Sequence, residues 1–182
     1  MSKHDRLLKR EDCVLVVIDA QEKLLPVIHA QEEVVANIAK LVKFAGIVDL
    51  PVVVTEQMKL GSTVAAVAEA GLRDPAIAKI SFDCFGCEDF VQKIKALKRK
   101  TLVLAGVEAH ICVFQTALSA LEDFRVQVVG DAVSSRMARN RDLALARLRH
   151  AGCVVSSTEM FIYEILRQAG TEEFKATLPL VK

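Results

Sequence analysis

Tryptophan is absent from this sequence of 182 residues, and one tyrosine and eight phenylalanines bring the aromatic residues to only 5%. Hydrophobic residues nevertheless make up 52% of the chain, and valine, isoleucine, leucine and alanine supply most of them. This aliphatic content is enough for a large core and excludes a disordered chain. The length predicts a single domain over residues 1–182, since domains commonly contain about 100–200 residues.

Apolar runs long enough to span a membrane are also missing, and so are the features of a secretory signal. A transmembrane helix needs about 20 consecutive apolar residues, so we expect no association with a membrane. The cysteines are odd in number and scattered, which does not predict a disulfide framework. We therefore expect a cytoplasmic protein. The five cysteines are Cys13, Cys84, Cys87, Cys112 and Cys153.

Charge of one sign is not in excess, because 24 lysines and arginines stand against 23 aspartates and glutamates. The one basic run of note, residues 93–100, is interpreted as the solvated last turn of a helix, where cations complement the helix dipole. A phosphate-binding patch is the weaker alternative. We therefore predict no nucleic-acid partner.

Motifs for phosphate and metal binding are missing as well. No G-x-G-x-x-G or G-x-x-x-x-G-K-[ST] segment follows a predicted strand, which argues against a nucleotide cofactor. Cys84 and Cys87 have the C-x-x-C spacing of zinc and redox motifs, but there is no second pair and the chain has only four histidines. We interpret this spacing as coincidental, with a redox role as the alternative, and predict neither a cofactor nor a metal.

Short β-branched runs alternate with longer segments of helical period, and this alternation is typical of βαβ units around a parallel sheet. The runs of valine, isoleucine and leucine are nearly continuous, which indicates strands buried on both faces and predicts a three-layer α/β/α sandwich. The terminal ten residues at each end are predicted to be peripheral. Predicted strands are 14–19, 52–55, 76–80, 101–105, 126–129 and 153–156, and predicted helices are 31–48, 64–70, 88–97, 111–121, 140–150 and 158–168.

Polar residues follow three of the predicted strands. Asp19 ends the first, Thr55-Glu56-Gln57 ends the second, and the turn 106–112 leaves the fourth. Ligand sites of parallel sheets lie at the carboxyl ends of the strands, so we expect these residues to meet at one edge.

Cys112 opens a predicted helix directly after this turn. The helix dipole and unpaired backbone N–H groups at that position favour a thiolate, and therefore a nucleophile. Asp19 is a candidate base and Lys79 a candidate cation, while His110 is a weaker candidate base because it is so close in sequence to the cysteine. Each residue also has an ordinary structural interpretation: a buried apolar cysteine, a turn aspartate and an exposed lysine.

Several segments together carry a resemblance to a known family. They are Asp19-Ala20-Gln21, Lys79-Ile80-Ser81-Phe82 with Phe85, Gly106 to Val113 with Thr116-Ala117, and Asp131 to Arg136. In this order they resemble the isochorismatase-like cysteine hydrolases, over roughly residues 10–170 of the chain. The segments 53–57, 106–109 and 145–149 resemble most the isochorismatase domain-containing subgroup, whose substrate is undefined.

The resemblance implies a six-stranded parallel sheet, a catalytic triad of Asp19, Lys79 and Cys112, and frequent homo-oligomers. It also implies a cis peptide between Val107 and Glu108, and an oxyanion hole formed by the backbone amides of Glu108 and Cys112. The sequence departs from two relatives. Isochorismatases proper lack a cysteine at position 112, which argues against isochorismate as substrate. Nicotinamidases carry histidine ligands in the loop after the second strand, whereas residues 56–63 contain no histidine, which argues against a bound zinc.

We therefore predict a cysteine hydrolase that cleaves a small amide or a related C–N bond through a thioester on Cys112. Asp19 would act as the base and Lys79 as the electrostatic partner that lowers the thiol pKa. The alternative is a catalytically silent binding or scaffolding member of the same fold. Structural roles in the core or at backbone groups are the alternative for the predicted substrate contacts. Those contacts are Gln21, Glu56, Gln57, Phe82, Phe85 and His110.

Overall fold

Six parallel strands form one sheet in the computed structural model, which describes residues 7–182. The strand order is β3-β2-β1-β4-β5-β6. The sequence predicted all six strands and their parallel arrangement, and both predictions are confirmed. The strands are β1 (Cys13–Ile18), β2 (Val52–Gln57), β3 (Ile77–Lys79), β4 (Thr101–Val107), β5 (Arg125–Ser134) and β6 (Val154–Ser156).

Helices cover both faces of this sheet, which confirms the three-layer sandwich. Helices α1 and α6 pack on one face with β1, β4 and β5, and helices α3, α4 and α5 pack on the other. The helices are α1 (Gln31–Ile47), α2 (Ala65–Ala68), α3 (Glu88–Leu97), α4 (Cys112–Ala120), α5 (Ala138–Ala151), α6 (Thr158–Leu166) and α7 (Glu172–Val181). Among residues 7–182, no helix is long and apolar enough to cross a membrane.

The central strand β1 shows why continuous apolar runs specify this architecture. All six of its residues are buried. Because side chains alternate along a strand, Leu15 and Val17 face the layer of α1 and α6, whereas Val16 and Ile18 face the layer of α3, α4 and α5. A strand with one solvent-facing side would instead need alternating polar residues.

Strand β5 is longer than the predicted 126–129, because it continues to Ser134. Gly130 and Asp131, which follow the predicted end of the strand, lie within it. The sheet register shifts between Leu104 and Gly106, opposite this part of β5. The carboxylate of Asp131 is satisfied there, since its Oδ1 accepts hydrogen bonds from the backbone N–H and hydroxyl of Thr158.

The C-terminal residues correct a second prediction, because they form helix α7. Thr171 caps this helix through a 3.0 Å hydrogen bond from Phe174 N to its Oγ1, and Thr177 is buried. Apolar side chains of α7 pack against the core of the α1 and α6 layer. The segment is therefore part of the fold. Of the first ten residues, which were also predicted to be peripheral, positions 1–6 lie outside the described residues.

The winding direction of the sheet reverses between β1 and β4. From β1 the chain proceeds outward through β2 and β3, whereas from β4 it proceeds in the other direction through β5 and β6. In parallel sheets the loops that leave two such neighbouring strands diverge, and ligand sites lie at the carboxyl ends of these strands. Asp19 follows β1, and the turn to Cys112 follows β4, so both lie at this switch point.

Candidate active site

A buried ion pair lies at the carboxyl ends of β1 and β3. The Nζ atom of Lys79 is 2.7 Å from Oδ2 of Asp19, and neither side chain is exposed to solvent. Asp19 leaves β1 in the left-handed conformation, with φ of 52°, a region that aspartate tolerates better than most residues. Burying two charges is costly unless they are paired and hydrogen-bonded, so this pair depends on its neighbours.

Those neighbours occupy every N–H of the Lys79 ammonium. Nζ donates to Asp19, to Oε1 of Gln57 at 2.9 Å and to the carbonyl of Ser81 at 3.2 Å. An ammonium has three donors, so Lys79 has none left for a substrate. Burial alone lowers the pKa of Lys79, but the charge and hydrogen bond of Asp19 outweigh it and leave that pKa raised. The ammonium therefore stays charged at neutral pH.

Cys112 is the first residue of α4 and is 6% exposed. Burial raises the pKa of its thiol to about 12, with the Asp19 charge as a further cause, while Lys79 lowers it to a smaller extent. The expectation of a preformed thiolate is therefore wrong. The sequence argument considered the helix dipole and the nearby cation but not the desolvation of the sulfur. The resting thiol is protonated, next to a carboxylate that can take its proton.

The turn between β4 and α4 carries two free backbone donors. Its Val107–Glu108 peptide is cis, at the position that the resemblance implies. The N–H groups of Ile111 and Val113 both donate to the Glu108 carbonyl. In contrast, the N–H groups of Glu108 and Cys112 donate to no protein acceptor within residues 7–182. Two such donors on one turn are suited to hold a developing oxyanion.

The side chains of Glu108 and His110 are held away from a role as base. Oε2 of Glu108 accepts hydrogen bonds from the backbone N–H of Arg136 at 2.8 Å and from its Nε at 3.2 Å. Nδ1 of His110 is 2.9 Å from Oγ of Ser135, and its Nε2 faces Asn140. The structure thus leaves Asp19 as the carboxylate whose charge acts on the Cys112 thiol.

Gln21 and Gln57, which were predicted to contact the substrate, form hydrogen bonds within the protein. Gln21 Nε2 donates to the carbonyls of Gln57 and Gly61, and its Oε1 accepts from Gln57 N. Gln57 in turn accepts from Lys79 and donates to the carbonyl of Ile80 at 2.6 Å. Both side-chain ends of each glutamine therefore have partners within the protein, which favours the structural role that was predicted as the alternative to substrate binding.

Of the other residues predicted to contact substrate, Glu56 and Phe85 contact other parts of the protein, whereas Phe82 lies at the rim of the site. Glu56 Oε1 holds Thr63 through its N–H and hydroxyl, which orders the loop after β2. Phe85 packs edge-to-face against Phe90 at 5.4 Å between ring centroids, so it belongs to the core. Phe82 is 53% exposed and its carbonyl lies 3.5 Å from Lys79 Nζ, so it is the aromatic residue at the rim of the site.

Sequence reasoning missed Thr55 as an individual site residue. Its Oγ1 donates to Oδ1 of Asp19 at 2.8 Å and is fully buried. The Sγ atom of Cys84 lies 3.9 Å from this hydroxyl, and burial raises the pKa of the Cys84 thiol to about 12. The signal for Thr55 was a polar residue that directly follows three valines on β2, two positions before Gln57.

The cysteines form no disulfide within residues 7–182, and no group of three or more His, Cys, Asp or Glu side chains in that range is arranged to hold a metal ion. Cys84 is buried and its backbone N–H donates to Thr116 Oγ1, while Cys87 is partly exposed. Cys84 therefore belongs to the surroundings of the active site.

Comparison with known proteins gives the class to which this fold and site belong. A family model described as the isochorismatase domain matches residues 13–160. The chain belongs to the isochorismatase family, in a fold shared by isochorismatase-like hydrolases.

Two curated relatives place it more closely. A secreted isochorismatase effector of Phytophthora sojae is 35% identical over 178 residues, covering 93% of this chain and 84% of the relative. Isochorismatase domain-containing protein 2A of mouse is 33% identical over 177 residues, covering 94% and 84%. The resemblance to the domain-containing subgroup is thereby confirmed.

Solved structures with the same fold bear different descriptions. The MAR1 ribonuclease of Caenorhabditis elegans has a TM-score of 0.90 and 31% identity, covering 96% of this chain and 92% of that protein. YcaC of Pseudomonas aeruginosa, solved with hexane-2,5-diol and covalent acrylamide, has a TM-score of 0.90, 30% identity and coverage of 98% and 93%. YcaC of Escherichia coli, described as an octameric hydrolase of unknown specificity, has a TM-score of 0.89, 27% identity and coverage of 98% and 94%.

Proposed function

We propose that this protein hydrolyses a small amide or a related C–N acyl compound through a thioester on Cys112. One observation carries the proposal: a buried Asp19–Lys79 pair acts on the thiol of Cys112, on a turn with two unoccupied backbone donors. Carboxylate, ammonium, thiol and paired N–H groups are the set that acyl transfer through sulfur requires.

The first half of the reaction is acylation. Ionising a thiol with a pKa of about 12 at pH 7 would cost on the order of 7 kcal/mol, so proton transfer has to accompany attack. Asp19 takes the Sγ proton while Sγ bonds to the substrate carbonyl carbon. The resulting oxyanion accepts hydrogen bonds from the N–H groups of Glu108 and Cys112, each worth about 3–4 kcal/mol in such sites. Asp19 then gives the proton to the leaving nitrogen, and the C–N bond breaks.

The second half is hydrolysis of the thioester. Water attacks the acyl carbon while Asp19 takes a proton from it, and the same two N–H groups hold the second oxyanion. The C–S bond breaks, the sulfur recovers the proton from Asp19, and the acid leaves. Lys79 offsets the negative charge as it moves between the carboxylate and the sulfur. It does so without touching the substrate, since its donors are all engaged.

The descriptions of the relatives support a nucleophile in this fold and also name competing reactions. The structure of Pseudomonas aeruginosa YcaC is described with covalent acrylamide, an electrophile that adds to nucleophiles such as thiols at its vinyl carbon and keeps its amide, so it supports the nucleophile and not a particular substrate. The Caenorhabditis elegans relative is described as a ribonuclease, and the Phytophthora sojae relative as an isochorismatase effector. RNA and isochorismate are therefore the comparison substrates, and a silent scaffold remains the non-enzymatic alternative.

The proposed assembly and location rest on the same comparisons. We infer a homo-oligomer, because the similar Escherichia coli protein is octameric. A cytoplasmic location stays a prediction, since one relative is described as secreted.

The test is turnover on a panel of primary amides and N-carbamoyl compounds, read as ammonia release, with RNA and isochorismate as separate arms. Wild-type protein should release ammonia from at least one amide, and intact mass spectrometry of a rapidly quenched reaction should show an acyl adduct on Cys112. Cys112→Ser should release none, and release by Asp19→Asn should fall by about a hundredfold or more. Turnover that survives in Cys112→Ala, or cleavage of RNA or isochorismate alone, would contradict the proposal.

A further inference from the structure

Strand β2 presents two polar side chains to the ion pair. Thr55 and Gln57 are two positions apart, so both point to the same face of the strand. Thr55 is the register partner of Ile18, which precedes Asp19, and Gln57 is the register partner of Lys79. We propose that Thr55 and Gln57 are positioning residues that keep Asp19 ionised and Lys79 protonated, and thereby set the pH range of activity.

The hydrogen bonds on this face have the polarity that this role requires. The hydroxyl of Thr55 donates to Oδ1 of Asp19 at 2.8 Å, and Oε1 of Gln57 accepts from Lys79 Nζ at 2.9 Å. A donor on the carboxylate stabilises the anion, and an acceptor on the ammonium stabilises the cation. Both bonds act on the charged forms at a site where burial opposes charge.

The two side chains are themselves fixed. Thr55 is fully buried. Gln57 donates from Nε2 to the carbonyl of Ile80, and its backbone N–H donates to Oε1 of Gln21 at 2.8 Å. The amide orientation of Gln57 follows, because only Oε1 can accept from the ammonium while Nε2 serves a carbonyl. Such a preorganised pair keeps its geometry when the Asp19 proton is exchanged.

Other ionisable groups around the pair are few. Asp19 faces Lys79 from β3 and Cys112 from α4, and the Cys84 thiol lies behind Thr55. The thiols of Cys84 and Cys112 stay protonated at neutral pH, since burial raises the pKa of each to about 12. Loss of the Thr55 hydroxyl removes a hydrogen-bond donor from Oδ1 of Asp19. Loss of the Gln57 carbonyl makes Lys79 easier to deprotonate.

The proposal rests on the proposed function for its kinetic readout, so the experiment has a second readout that needs no turnover. The first is the pH profile of kcat/KM on the amide that the protein cleaves. The second is the NMR titration of the Asp19 carboxyl carbon and the Lys79 Nζ. For Thr55→Val, the acid limb and the Asp19 midpoint should move to higher pH by about one unit. For Gln57→Met, the alkaline limb and the Lys79 midpoint should move to lower pH by about one unit.

Three variants serve as controls. Thr55→Ser keeps the hydroxyl and should keep the wild-type acid limb. Thr158→Val removes a threonine–aspartate hydrogen bond of 2.9 Å between α6 and β5, and Gln127→Met removes a buried glutamine that contacts Ser156. Both should leave the two midpoints unchanged.

The outcomes separate the two proposals. If no amide is cleaved but the NMR midpoints move as expected, the proposed function fails and the positioning role stands. If amides are cleaved and both midpoints in Thr55→Val and Gln57→Met equal those of wild type, the positioning role is overturned. It is also overturned if the acid limb of Thr55→Ser moves as far as that of Thr55→Val, because the effect would then come from packing and not from the hydroxyl.

Discussion

The α carbon of Gly106 lies against the backbone of Ile18, so closely that a Cβ atom on Gly106 would come within 2.0 Å of the Ile18 carbonyl oxygen. Gly106 also has φ of 116°, which other residues rarely adopt. The two residues join β4 to β1 at the switch point. The absence of a side chain therefore lets the turn that carries Cys112 begin next to Asp19.

We expect Gly106→Ala to destabilise the protein by more than the about 1–3 kcal/mol that an unfavourable φ costs, because β1 and β4 must also separate. Gly71→Ala is the matched control, since φ at Gly71 is 114° and no atom lies within 4 Å of the added Cβ. Urea unfolding of both variants measures the difference. Equal losses of stability in the two variants would contradict the close approach of Gly106 to the backbone of Ile18.

The buried ion pair predicts strong coupling between its members. Asp19→Asn or Lys79→Met should each cost about 3–5 kcal/mol of the free energy of unfolding, because each leaves one buried charge without its partner. The double variant should lose much less than the sum of the single losses. Urea unfolding of the four proteins at pH 7 gives the coupling energy, and additive losses would contradict the pair.

Asp19→Asn should separate thiol reactivity from catalysis. The Asp19 charge raises the pKa of Cys112 and the Lys79 charge lowers it, so the variant should have a lower thiol pKa. Alkylation of Cys112 by iodoacetamide at pH 8 should become several-fold faster, while hydrolysis should fall by about a hundredfold or more, since the general base is lost.

This labelling is measured by peptide mass spectrometry in a Cys87→Ser background, because Cys87 is partly exposed and competes for the reagent. In wild-type protein Cys112 should react more slowly than Cys87 and faster than the fully buried Cys13. Slower alkylation of Cys112 in Asp19→Asn would show that the Asp19 carboxylate does not raise the pKa of the Cys112 thiol.

The buried thiols predict a loss of stability in alkali. Burial raises the pKa of Cys13 from 9.0 to about 12, with the Asp12 charge as a further cause. A group with a raised folded pKa contributes stability that is complete below the unfolded pKa and is lost as the pH rises through the folded value. The Cys13 contribution, up to about 4 kcal/mol, should therefore disappear between pH 9 and 12.

Urea unfolding at pH 8, 9.5 and 11 measures this dependence. Cys13→Ala should be less stable than wild type at pH 8, but its stability should fall less steeply as the pH rises. Cys13 lies away from the ion pair, so the comparison is free of changes at the active site. Parallel slopes in the two proteins would mean that the Cys13 thiol does not ionise on unfolding in this range.

Much of the fold was predictable from local patterns. The apolar runs around Leu15 and Val103 could belong only to strands covered on both faces, and the helical period of the segments between them supplied the covering layers. Strand β5 exceeded the prediction because Thr158 of α6 satisfies the carboxylate of Asp131, and helix α7 exceeded it because apolar side chains of α7 pack against the core of the α1 and α6 layer. Such contacts leave no periodic signal.

The order of elements and the residue types at the strand ends were determined by the sequence alone, and these already place Asp19 and Cys112 at the switch point of a parallel sheet. Tertiary structure decided how their chemistry is set. In the folded protein the side chain of Gln57 accepts a hydrogen bond from Lys79, and the hydroxyl of Thr55 donates one to Asp19. Burial raises the pKa of the Cys112 thiol and keeps it protonated. The physical reason is that desolvation and hydrogen-bond polarity depend on which side chains surround a buried group, and segments distant in the chain supply those side chains.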